Sequence, residues 1–194
     1  MAEKLIPTPS NTVGPFFHLG MDRPEWSDLT RDNPAGEKIA IEGRVLDGDG
    51  APVPDAVVEI WQANAAGRYN HPDDHQEEKP LDPHFRGFGR AATDADGRFR
   101  LVTIKPGPVP GRGNTLQAPH INVALFARGL LKHLYTRIYF ADEAANAADP
   151  LLSLIEDAAA RDTLLAKRSG DGTPTPYHFD IVMQGANETV FLDI

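Results

Sequence analysis

Short apolar segments that never alternate with long helices constrain this chain most. "IAIEGRVL" (39–46) places Ile39, Ile41, Gly43 and Val45 on one face and stops at the turn sequence "DGDG". "AVVEIWQ" (56–62) is rich in β-branched and aromatic residues, and "DADGRFRLVTI" enters a strand from an Asp-Gly turn. "INVALFA", "LYTRIYF", "YHFDIVM" and "ETVFLDI" follow, each bounded by turn formers. The 17 glycines and 17 prolines fit a chain made of turns and short strands. Helical spacing is clear only in 150–167, where Asp149 is placed to cap, Pro150 suits the first helical position, and Leu151, Leu154, Ile155 and Ala158 share a face. Strands in this order argue against a parallel βαβ sheet and for an antiparallel β-sandwich. The class expected is mainly β.

At 194 residues one packed domain suffices, and with no cysteine there is neither a disulfide nor thiolate chemistry. The expected division is an N-terminal arm and connection over 1–38 and a sandwich core over 39–194. Pro7, Pro9, Gly14 and Pro15 keep "TPSNTVGPFFH" extended, and Phe16 and Phe17 on such an arm are expected to dock onto a surface. A net charge of -9 without a basic run argues against nucleic-acid binding. "MAEKLIPTPS" has no signal-peptide apolar core and no apolar run is long enough to span a bilayer, so a cytoplasmic location is expected.

Four places carry residues capable of chemistry. "HPDDHQEE" (71–78) sets His71 and His75 among carboxylates, but in a polar stretch that reads as a solvated loop. Tyr69, in "GRYNH", is either a ligand or a residue of the turn. His120 opens the strand "HINVALF", where a backbone carbonyl partner competes with a metal role. Arg128, in "LFARG", ends an apolar strand; its rigid fork suits a carboxylate, though an ordinary surface arginine would look the same.

Taken together, "TVGPFFH", "EGRVLDGDGAPVPDAVVEIWQANAAGRYNH", "GFGRAATDADGRF", "TIKPGPVP", "APHINVALFARGL" and "YHFDIVMQGANETVFLD" resemble the intradiol ring-cleaving dioxygenases over nearly the whole chain. Catalytic chains of that family hold ferric iron with two tyrosinates and two histidines. Tyr69 and His120 match one of each. Val109 stands at the second tyrosine's place, Asn122 at the second histidine's, and Gln117 at that of an arginine that steadies the substrate. Valine has no lone pair and a carboxamide is a poor substitute for imidazole, so no iron binding and no catalytic residue are expected on this chain alone.

The resemblance implies a homologous beta chain carrying the ferric iron, with this chain in the alpha role inside a larger hetero-oligomer. It implies protocatechuate (3,4-dihydroxybenzoate) and dioxygen as substrates. Ring opening would yield 3-carboxy-cis,cis-muconate for the β-ketoadipate route of aromatic catabolism. Thr12, Gly14 and Pro15 would line the shared pocket and Arg128 would meet the substrate carboxylate. Two other readings stand beside it: a self-sufficient metal enzyme using Tyr69 and His120 with His71 or His75, and a non-enzymatic transthyretin-like scaffold.

Overall fold

The computed structural model describes residues 9–14, 20 and 23–193. Eleven strands are formed among them: β1 (Lys38–Leu46), β2 (Val57–Trp61), β3 (Phe88–Ala92), β4 (Arg98–Ile104), β5 (Val109–Pro110), β6 (Leu116–Gln117), β7 (His120–Phe126), β8 (Leu134–Phe140), β9 (Leu165–Arg168), β10 (Thr175–His178) and β11 (Ile181–Val182). Apart from the small β5–β6 ribbon they make one path, β11-β1-β10-β9-β8-β7-β2-β3, with β4 added on β1. The path folds on itself, so the β1–β4 side faces the β2–β7–β8 side across the core.

Alternation builds that core. Ile39, Ile41 and Val45 of β1 are fully buried against Val58 and Ile60 of β2 and Ile121, Val123 and Leu125 of β7. Burying each such side chain contributes about 1.5–3 kcal/mol, so period-2 patterning fixes which face of each strand turns inward. At Gly43 the chain has no choice of residue, because a Cβ there would overlap the Phe179 carbonyl. That close approach lets β1 pair with β10 and then with β11.

The mainly β sandwich is as expected, with differences in detail. The long ladders β1–β4, β2–β3, β2–β7 and β7–β8 are antiparallel, but β1–β10, β1–β11 and β8–β9 are parallel. Between β8 and β9 the turns and short helix over 141–164 bring the chain back to run in the same direction. β3, "FGRAA", carries no strand signal because Gly and Ala have low β-propensity; pairing with β2 imposes it. The described residues of "ETVFLDI" supply only a bridge from Leu192 to Tyr135.

The helical stretch is shorter than its spacing suggests. A turn at Leu152–Leu154 and the helix α1 (Ala158–Asp162) lie within it, and β9 begins at Leu165. Asp149 does cap the first turn, its Oδ1 accepting from the Leu151 and Leu152 N–H groups. Leu154 points away, 81% exposed, because the segment is too broken to keep one helical face. Among the described residues no helix is long and apolar enough to cross a membrane.

Candidate functional site

β7 carries the two places of interest, one at each end. At its start, Tyr69, His120 and Asn122 come together with Val109 and Gln117, as the resemblance implies. Val109 and Gln117 face each other across the β5–β6 ribbon, while Asn122 lies opposite Arg137 of β8 and Trp61 of β2. Arg137 organises the group. Its Nε donates to Asn122 Oδ1 at 3.0 Å, and its Nη1 donates to Gln117 Oε1 at 2.6 Å and to the Tyr139 hydroxyl at 3.3 Å. Asn122 Nδ2 in turn donates to Tyr69 Oη at 3.2 Å and to the Trp61 carbonyl at 3.1 Å.

Behind this group lies the buried carboxylate of Asp149. Its Oδ1 accepts from Tyr139 Oη at 3.1 Å and its Oδ2 from the Ala118 N–H at 2.8 Å. His120 is 3% exposed, with Nδ1 2.7 Å from the Ala118 carbonyl. A carbonyl can only accept, so Nδ1 carries the proton. Burial and the Arg137 guanidinium hold the His120 pKa down to about 4, so its ring is neutral. Burial pushes the Tyr69 phenol up despite the Asn122 hydrogen bond and Arg137, and likewise pushes Tyr139 up to about 12.

The ferric ion implied by the resemblance does not fit this set. It needs ionised phenolates and several lone pairs converging on one point. Here the Asn122 oxygen is taken by Arg137, the Tyr69 oxygen accepts from Asn122, Tyr69 is held protonated, and Val109 supplies nothing. Among the described residues no group of three His, Asp or Glu is placed to hold a metal. The arginine expected at position 117 is absent, yet a guanidinium reaches the same spot from Arg137.

His71 and His75 do not join the group. Both are exposed on the loop, with the His71 ring edge-on to Trp61 at 6.5 Å. The loop is tied down instead by Asp74, which accepts the Tyr69 N–H at 2.7 Å. Beside it lies an open groove of about 500 Å³ lined by Trp61, Tyr69, His71 and Val109.

Arg128 stands past the other end of β7. β7 itself rises roughly 20 Å from His120 to Phe126, and Arg128 lies two residues further on, in the turn. Its side chain is 67% exposed, with Nε 2.9 Å from Asp55 Oδ2. Asp55 has φ +59°, a left-handed conformation that Asp tolerates better than most residues. Next to Arg128, the Gly129 N–H donates to Thr12 Oγ1 at 2.8 Å. The structure thus brings Thr12 and Arg128 together. Asn11 and Val13 close a notch of about 190 Å³ with Phe126, Leu130 and His133. Gly14 is exposed; Pro15, Phe16 and Phe17 lie outside the described residues.

Arg137, Tyr139 and Asp149 as partners of this network were not read from the sequence. The signal was present: an arginine within "LYTRIYF" must be paired if a short apolar strand is to bury it.

Fold and site together define a class. A family model described as dioxygenase matches residues 13–185, and the chain belongs to that family. A protocatechuate 3,4-dioxygenase alpha chain from Pseudomonas putida is 45% identical over 206 aligned positions, covering 100% of both chains. A protocatechuate 3,4-dioxygenase beta chain from Burkholderia cepacia is 44% identical over 188, covering 91% of this chain and 75% of that one. Among solved structures, the dioxygenase domain of a carbohydrate-binding fusion protein from Streptomyces sp. SirexAA-E superposes with a TM-score of 0.63 at 28% identity, covering 93% of this chain and 100% of that one. A hydroxyquinol 1,2-dioxygenase from Pseudomonas putida DLL-E4, TM-score 0.62 at 23% identity over 93% of this chain and 68% of that one, shares the fold.

Proposed function

We propose that this chain is the iron-free alpha-type subunit of a cytoplasmic two-chain intradiol dioxygenase, and that it helps a homologous beta-type partner bind protocatechuate. The observation that carries this reading is the contrast within β7. The donors at its start are consumed by one another, whereas Arg128, past its far end, keeps an exposed fork of which, among the described residues, only Nε is committed, to Asp55.

Ferric iron held by the partner supplies the ring-opening chemistry, which adds both atoms of dioxygen to 3,4-dihydroxybenzoate to give 3-carboxy-cis,cis-muconate. The alpha-type chain contributes recognition and enclosure. The Nη atoms of Arg128 face the substrate carboxylate while Asp55 fixes the plane of the guanidinium. Thr12, Gly14 and Pro15, of the arm over 1–38, would line the same pocket, and the sandwich over 39–194 would carry Arg128. Arg128 stands past the opposite end of β7 from the Tyr69–Asn122 group, and its pocket is completed by another chain.

A charge-assisted pair of this kind is worth about 1.5–3 kcal/mol. Arg128→Ala in the assembled enzyme should therefore raise KM for protocatechuate about 10- to 100-fold and leave iron content unchanged. Equal loss of iron and of binding, or full ring cleavage by this chain purified alone, overturns the reading.

A further inference from the structure

Away from both ends of β7 lies a cleft of about 640 Å³ on the outer face of β1 and β4. In a chain of net charge -9 this cleft is lined by five arginines, Arg23, Arg44, Arg90, Arg98 and Arg100. Glu42 and Asp94 are the only carboxylates in the same lining. Guanidiniums stand on both walls: three on the β1–β4 face, and Arg90 with Arg23 on the opposite side, gripping the Trp26 ring at 4.9 and 5.3 Å.

The register of β1 on β4 sharpens the point. Glu42 lies opposite Arg100 and pairs with it at 2.7 Å, but Arg44 lies directly opposite Arg98. Directly opposed residues in an antiparallel pair have Cβ atoms about 5 Å apart, and like charges there destabilise the sheet. Neighbouring acids relieve this only in part. Asp180 stands 4.0 Å from Arg44 and is shared with His178, at 3.2 Å. Arg23 has Glu25 at 3.9 Å and Arg90 has Glu59. The Arg98 side chain has no hydrogen bond or ion pair among the described residues.

We infer that this cleft binds a small polyanion, a ligand carrying two or more carboxylate or phosphate groups, one of which bridges Arg44 and Arg98. A single oxyanion between the two forks replaces their repulsion with paired charge-assisted hydrogen bonds. The volume falls in the range of small-molecule sites. Arginine forks accept carboxylate and phosphate alike, so the two sources are separated by experiment.

The full chain is titrated with citrate and, separately, with pyrophosphate at constant ionic strength, by calorimetry and by thermal melting. One or both should bind with a defined stoichiometry and raise the melting midpoint by a few degrees. Citrate alone assigns a carboxylate ligand, pyrophosphate alone a phosphate ligand, and either result supports the site. Arg98→Gln and Arg44→Gln should each weaken binding at least 10-fold. Without anion, Arg98→Gln should melt no lower than the wild type, because it removes a like-charge pair. Arg112→Gln, an exposed arginine outside the cleft, should change nothing. No response to either anion, or an equal response in Arg98→Gln, overturns the inference; so does equal weakening by Arg112→Gln.

Discussion

The two ends of β7 use the same chemistry to opposite purposes. At one end the Arg137 guanidinium is half-buried and donates to Gln117, Asn122 and Tyr139, so that every polar group it reaches is satisfied from within the chain. At the other the Arg128 guanidinium is exposed and, among the described residues, engages only Asp55, leaving most of its donors to solvent or a ligand. A closed network stabilises the fold. An open fork contributes little to the fold and is available for binding. The difference lies in saturation rather than in residue type.

The largest effect expected is on the closed end. Arg137→Ala would strand the Asn122 and Gln117 side-chain oxygens, and at about 1.5 kcal/mol or more for each bond lost to a charged donor the chain should lose about 3 kcal/mol in chemical denaturation. If Arg137→Ala left stability unchanged while abolishing substrate binding, the roles of the two ends would be reversed.

Acid should expose the same end. His120 has a folded pKa near 4, below its ordinary 6.5, so the unfolded chain takes up the proton first. The stabilisation is complete above about pH 6.5 and is lost as the pH falls toward 4, by at most about 3 kcal/mol. Denaturation midpoints of the wild type should therefore decline over that window, and His120→Gln should flatten the decline. Alkali acts on Tyr139 in the other direction: with a folded pKa near 12 it keeps its proton while the unfolded phenol ionises, so stability falls as the pH rises from about 10 to 12.

Smaller effects belong to the open end and should be felt in binding rather than in folding. Arg128→Lys keeps the charge but loses the planar fork, and KM should rise about 3- to 10-fold with little change in kcat. Asp55→Asn should raise KM by less, since it frees the guanidinium to turn without removing it. Thr12→Val deletes one exposed hydrogen bond, worth about 0.5–1 kcal/mol, and should weaken enclosure of the substrate only slightly. A drop in melting midpoint as large as that of Arg137→Ala in any of these three would erase the distinction between the ends.

Much of this was legible from residue order. Alternation in "IAIEGRVL" placed Ile39, Ile41 and Val45 on one face, the one that is buried, and the pairing of Tyr69 and His120 with misfit residues at 109 and 122 followed from the resemblance. The parallel seams, β3 and the shortening of the 150–167 helix were not legible, because each depends on what the segment packs against rather than on its own composition. The role of Arg137 is hidden in the sequence for a related reason. Its role comes from facing Asn122 across two strands, a relation that exists only once the register is set. The opposition of Arg44 and Arg98 is equally a product of register.

The tie from the Gly129 N–H to Thr12 Oγ1 bears on how such a chain meets its neighbour. A segment already pinned to the domain surface has surrendered much of its chain freedom before any encounter, so less ordering remains to oppose complex formation. Docking then joins two shaped edges, and the tempo of assembly is governed by collision and alignment more than by threading a loose tail.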